Sequence, residues 1–145
     1  MMNVKVMYHS STGNTKKVAH AIADSLGIQA ETLPDAPVSF SEPVDLLFIG
    51  DGVYMGKADK KTIAWIKGLS PETVKNAAVF ATCGGMEKIG ESLKSLIQNQ
   101  GIQVVGDPFI CKGKAWFLLN RNHPDQNDLK QAQAFALEIA EKINA

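Results

Sequence analysis

Short apolar runs alternate along this chain with segments whose apolar residues recur at helical spacing, and few architectures accommodate that alternation. Val4–Tyr8, Ile28–Leu33, Asp45–Gly50 and Ala77–Thr82 read as strands. Gln103–Val105 and Phe109–Cys111 read as two halves of a fifth, interrupted at Gly106-Asp107-Pro108. Between them, Val18, Ala19, Ile22, Ala23 and Leu26 mark one helix, Asp59 to Lys67 a second, and Ile89, Leu93, Leu96 and Ile97 a third. A last helix from about Pro124 sets Leu129, Ala132, Ala136, Ile139 and Ile143 on one face. Strands alternating with helices predict a parallel sheet with helices on both faces, because the crossover helices bury both sides of it.

Two segments break the rhythm. Pro34 to Pro43 holds three prolines and no helical period, so the crossover helix expected there is short or absent. Ser70-Pro71-Glu72 reads as the start of a further helical turn, with Ser70 as cap and Pro71 at the first helical position. The whole fits an α/β, doubly wound, five-stranded parallel sheet of order 2-1-3-4-5, and 145 residues predict one domain, 1–145. In such a sheet the crevice lies at the carboxyl ends of strands one and three, where the crossover direction changes.

The loops at that edge are unusually rich in small and hydroxylated residues. Tyr8 to Thr15 reads Tyr-His-Ser-Ser-Thr-Gly-Asn-Thr and passes directly from the first strand into the first helix. The first amides of a helix lack internal partners and its dipole places partial positive charge there, which makes an anion site. Ser10, Thr12 and Thr15 add hydroxyl donors, and Gly13 lets the backbone close on a ligand. The loop itself contains no Arg or Lys, which favours a phosphate monoester wrapped by amides and hydroxyls. Neither the triphosphate loop nor the dinucleotide glycine pattern occurs. The loops after strands three and four, Asp51–Gly56 and Cys83–Met86, are expected to converge on the same place.

Composition narrows the classes further. Formal net charge is zero and charged residues make up 21%, so no nucleic-acid footprint shows. No apolar run reaches bilayer-spanning length and no signal peptide is read at the start, so a soluble cytoplasmic protein is expected. Cys83 and Cys111 are too few for a disulfide scaffold and lack metal-ligand spacing; buried thiols are expected of both.

The spacing Ser10-Ser11-Thr12-Gly13-Asn14-Thr15, followed by Val18-Ala19, resembles the phosphate loop of the flavodoxins, and the likeness covers nearly the whole chain. The resemblance implies a flavodoxin-like fold with FMN as cofactor. Ser10, Ser11, Thr12, Gly13, Asn14 and Thr15 would surround its phosphate. Gly52, Val53, Tyr54, Met55 and Gly56 would lie beside its ring, and Thr82, Cys83, Gly84 and Gly85 at its pyrimidine end. Met55-Gly56 is similar to the ring-side loop of short flavodoxins, where a glycine carbonyl turns to accept a hydrogen bond from N5 of the one-electron-reduced ring. Gly56 is the first choice for that role and Gly52 the second.

Function follows from the same resemblance: an FMN-binding electron carrier between redox partner proteins, an acidic docking face on the partner being one option, working as a monomer or weak dimer. The alternative is an FMN-dependent oxidoreductase acting on a flat substrate at an open flavin face. Three departures stand out. The loop after Cys83 lacks an aromatic, so the outer ring face is either open to a partner or substrate or covered by another residue. Trp116 or Phe117 could fold over it, although core packing is the expected fate of each. The crossover carries prolines instead of a helix. Flavodoxins are usually acidic and this chain is neutral, with Lys57, Lys60, Lys61, Lys88, Lys112, Lys114 and Arg121 in or beside the edge loops. Such a rim would either make the reduced anionic flavin less disfavoured or be simply a solvated face with no effect on the flavin. Asp51, Asp59, Glu87 and Asp125 are the nearby acids, and His9, His20 and His123 are expected to be local hydrogen-bonders. Asp51, Thr82 and Lys112 imitate the acceptor set of receiver domains, but strand one ends in Tyr8-His9-Ser10 and not in the acids that Mg²⁺ would need.

Overall fold

Side-chain parity along the central strands sets the layering. A computed structural model of the protein describes residues 2–11, 13–52, 58–83, 88–112 and 124–144. Its elements are β1 (Val4–His9), α1 (Asn14–Ser25), β2 (Ala30–Thr32), β3 (Leu46–Gly52), α2 (Lys60–Lys67), β4 (Asn76–Cys83), α3 (Lys88–Gln98), β5 (Gln103–Val104), β6 (Phe109–Lys112) and α4 (Gln126–Asn144). Val6, Tyr8, Leu46, Phe48, Ala78 and Phe80 face α1 and α4 on one side. Met7, Leu47, Ile49, Ala77, Val79 and Ala81 face α2 and α3 on the other. Every residue of β3 is buried, as a strand covered on both faces requires.

The strands pair in the order β2-β1-β3-β4-β5, with β6 also on β4. All these pairings are parallel. β5 lies beside Asn76 and Ala77, and β6 lies beside Phe80 to Cys83, so the two occupy successive lengths of one edge. They are the two halves of the expected fifth strand, and the order 2-1-3-4-5 holds. The break between them includes Gly106 at φ +71°.

Local departures have local causes. β2 begins at Ala30 and not at Ile28, because the Ile28 amide donates back to Ala23 O (3.0 Å) and belongs to the stop of α1, with Gly27 at φ +70°. The segment 34–43 has no helix. Val38 and Phe40 pack against the α2–α3 core instead, and the Phe40 ring meets Trp65 edge-on at 6.1 Å. The helical turn expected at Ser70 is a single turn in which Ser70 O accepts from the Thr73 and Val74 amides. Between β3 and β4, Gly50 stands opposite Phe80, and a Cβ there would lie 2.1 Å from the ring.

Candidate functional site

The register brings the carboxyl ends of the central strands side by side: His9 pairs with Asp51, Gly52 with Thr82, and Thr82 with Cys111. From β1 the chain turns into α1 through Gly13, the N-cap, at φ 91° and ψ −5°. A Cβ on Gly13 would meet nothing within 4 Å, so glycine serves the backbone conformation and not a lack of space. Ser10 Oγ accepts from the Gly13 amide (3.1 Å) and the Lys16 amide (3.3 Å), which commits its lone pairs to the helix start and leaves its hydrogen to donate. No acidic residue lies in the first turn of α1. The positive end of that helix is therefore not neutralised from within it.

Behind the turn, Asn14 and Thr15 are buried. Thr15 Oγ1 lies 2.7 Å from Thr82 Oγ1, which is buried as well. Two hydroxyls share one hydrogen bond, so one of their two hydrogens remains for a third acceptor. This bond ties the first turn of α1 to the end of β4, across the sheet.

Asp51, expected as the first residue of the loop after strand three, lies within β3 at the same edge. Its side chain is 0% exposed. Oδ1 accepts from His9 Nδ1 (2.9 Å) and the Gly52 amide (2.7 Å), and Oδ2 accepts from the Asp59 amide (2.9 Å). Asp59 in turn caps α2 by accepting from the Lys61 amide (2.9 Å). A carboxylate so enclosed and so fully bonded is unavailable as a phosphoryl acceptor. Among the described residues, no group of three or more His, Cys, Asp or Glu is arranged to hold a metal ion.

The flavodoxin domain family matches residues 5–120 of this chain. An uncharacterized protein of Methanocaldococcus jannaschii is 31% identical over 149 aligned residues, covering 95% of this chain and 98% of that protein. The chain belongs to the flavodoxin domain family. The flavodoxin-like domain-containing protein BilS of Clostridioides difficile is 32% identical over 124 residues, covering 78% of this chain and 67% of that protein. Among solved structures, a flavodoxin from the domain Archaea superposes with a TM-score of 0.72 over 99% of this chain and all of that one. At 19% identity that likeness speaks for the fold alone.

Membership places the chain among flavin-binding electron-transfer and oxidoreductase domains, for which the fold implies a flavin, typically FMN. The residues present fit such a group at its phosphate end. A glycine-capped helix start with no acid in its first turn, the Ser10 hydroxyl at that start and the buried Thr15–Thr82 pair offer donors to an anion.

Of the flavodoxin-like residues expected to contact the cofactor, Ser10, Ser11, Gly13, Asn14 and Thr15 surround the helix start, with Ser11 exposed. Gly52 is the last residue of β3 and not a loop residue, because pairing with Thr82 extends the strand. Thr82 and Cys83 end β4. Thr12, Val53, Tyr54, Met55, Gly56, Gly84 and Gly85 lie outside the described residues, as do Lys57, Lys114, Trp116, Phe117, Arg121 and His123. Lys61, expected at a basic rim, pairs with Asp35 at 2.9 Å. His20 meets the Tyr8 ring edge-on at 6.0 Å. The register sets Cys111 beside Thr82 and Lys112 beside Cys83. The order 2-1-3 made strands one and three neighbours, whereas the register that sets His9 against Asp51 is supplied by the structure. Among the described residues, no helix is long and apolar enough to cross a membrane.

Proposed function

We propose that this chain binds FMN at the carboxyl edge of its sheet and carries single electrons between partner proteins in the cytoplasm, as one domain over residues 1–145. The start of α1 is the observation that carries this reading. Gly13 holds the left-handed cap, Ser10 organises the first amides, and Thr15 is backed by Thr82 with no acid in the turn. In this reading the amides and hydroxyls of Ser10 to Thr15 hold the phosphate, and the ring lies toward the ends of β3 and β4, near Gly52, Thr82 and Cys83. Gly52 and the loop residues Val53, Tyr54, Met55 and Gly56 belong to the ring side, and Gly84 and Gly85 to its pyrimidine end.

The bound flavin supplies the one-electron chemistry. The chain's own contribution is to bind and orient it. Amides, hydroxyls and a helix dipole fix the phosphate without a lysine, so the anchor's charge does not change with protonation of a side chain. Family membership supports partner proteins as donors and acceptors.

The test is a visible spectrum of the purified protein and an FMN titration of its flavin-free form. Flavin bands at one FMN per chain are expected, together with loss of the flavin on Thr15→Leu. A protein that stays colourless in excess FMN overturns the reading. Reduction by NAD(P)H alone distinguishes the two forms of it: rapid reduction supports an FMN-dependent oxidoreductase, and reduction only through a partner reductase supports the carrier.

A further inference from the structure

We propose that His9 is a positioning residue for the flavin site, joining through Asp51 the strand that feeds the phosphate-binding turn to the strand end and helix cap on the ring side. The inference rests on the flavin reading above for its consequence, and on the hydrogen bonds of Asp51 for its mechanism.

A carboxylate removed from water must recover its hydration from fixed donors. Among the described residues Asp51 recovers it from three: the amide of Gly52, the amide of Asp59 and Nδ1 of His9. Two of these are backbone groups, one at the end of β3 and one just before α2. The third is a side-chain donor, and it comes from a different strand. Because an ionised carboxylate only accepts, His9 carries a hydrogen on Nδ1 whatever its charge. Its Nε2 then faces the other way, 3.9 Å from Oδ2 of Asp59, whose Oδ1 caps α2. Asp51 of β3 and Asp59 at the start of α2 are the acids that meet the imidazole.

His9 immediately precedes Ser10, which organises the start of α1 through two amides. One imidazole therefore has the start of α1 attached to its backbone, while its ring bonds the carboxylate that holds both Gly52 and Asp59. A displacement of the β3 end is transmitted to the phosphate turn, and the reverse. Apolar side chains would join β1 to β3 at less desolvation cost, as they do at every buried position before His9. What the polar contact adds is direction, since a hydrogen bond fixes an angle as well as a distance.

The variants are H9L, which removes the donor, and H9N, whose amide nitrogen stands near the position of Nδ1. Three readouts apply to each: amide hydrogen exchange at Gly52 and Asp59 in the flavin-free protein, the FMN dissociation constant, and the two one-electron potentials of the bound flavin. In H9L, exchange at both amides should accelerate about tenfold and FMN should bind about tenfold more weakly. The separation of the potentials should change. H9N should return all three to within about threefold of the unsubstituted protein.

Unchanged exchange and affinity in H9L overturn the proposal. So does H9N failing as far as H9L while melting like the unsubstituted protein, because the donor would then not be what matters. If the unsubstituted protein takes up no FMN, the flavin reading fails. In that case the clasp is still decided, for or against, by the exchange of Gly52 and Asp59.

Discussion

Replacing Thr15 and Thr82 by valine, singly and together, separates what their hydroxyl pair does for the fold from what it does for the ligand. The two oxygens are 2.7 Å apart, an ordinary distance for a good O–H···O bond, and the residues are 1% and 4% exposed. Water does not reach a hydroxyl orphaned there. Each single variant should lose about 1–3 kcal/mol, the cost of leaving one buried polar atom without its partner. Replacing both by apolar groups of the same shape removes the orphan, so the double variant should be more stable than either single one. The coupling between the sites should fall in the upper part of the roughly 0.5–3 kcal/mol range for residues in contact. For a chain of this size 1 kcal/mol moves the melting temperature by about 2–4 °C, so the singles should melt visibly earlier and the double variant should recover. Urea unfolding of the flavin-free protein, with an unchanged m value, gives the same comparison isothermally. FMN affinity should follow a different order. Thr15 sits in the first turn of α1 and Thr82 does not, so T15V and the double variant should bind more weakly than T82V. Additive stability losses would refute the hydroxyl pair. A double variant that binds FMN as tightly as the unsubstituted protein would refute the role of Thr15 at the phosphate.

Two further outcomes follow from the framework of the fold. A Cβ on Gly50 would lie 2.1–2.4 Å from three atoms of the Phe80 ring, where contact normally begins near 3.5 Å, so Gly50→Ala should destabilise by about 1–3 kcal/mol or more in urea unfolding. The same change in a Phe80→Ala background should be nearly neutral, and an undiminished cost there would mean that the ring is not the obstacle. Asp45 accepts from the Asn3 amide at 2.7 Å and lies 3.4 Å from Lys75 Nζ; the amide chiefly, and Lys75 after it, hold its carboxyl below the usual carboxylate value. A depressed folded-state value stabilises fully above the unfolded value, about 3.9, and the contribution is lost as pH falls through the lower folded one. The stability gap between the unsubstituted protein and Asp45→Asn should therefore narrow below about pH 4. Parallel curves in urea midpoints from neutral to acid pH would contradict it.

Much of the architecture was legible because it depends on short-range patterns. Strict parity in Val6-Met7-Tyr8 and Leu46-Leu47-Phe48-Ile49 assigns alternate side chains to the two helical layers, and the structure divides them so. The prolines between Pro34 and Pro43 ruled out a full crossover helix on steric grounds, and the strap they form covers its share of the core with Val38 and Phe40. Boundaries were less legible where a neighbouring element decides them. Gly52 read as a loop residue, yet pairing with Thr82 keeps it in β3, and Ile28 read as strand although the stop of α1 claims its amide.

The site divides along the same line. Ser10, Gly13 and Thr15 were recognisable from spacing, because a helix start needs its donors within a few residues of one another. Their inward partners were not, since each is supplied by another strand: Thr82 is 67 residues from Thr15, and Asp51 is 42 from His9. Asp51 read as the first residue of the loop after strand three, and the parallel register of β1 with β3 keeps it in the strand, buried, and delivers His9 to it. In the proposed reading, that same register lets this chain leave its phosphate turn without a lysine. The anion's charge would be met by amides and hydroxyls whose positions are fixed from behind, by Thr82 through Thr15 and by Asp51 through His9. A mobile cation could follow a displaced phosphate, whereas fixed donors cannot. The geometry at the inner ends of β1, β3 and β4 therefore matters more to binding here than it would in a loop that carries its own positive charge, and substitutions at Thr82 or Asp51 should be felt at the phosphate although neither residue belongs to the turn.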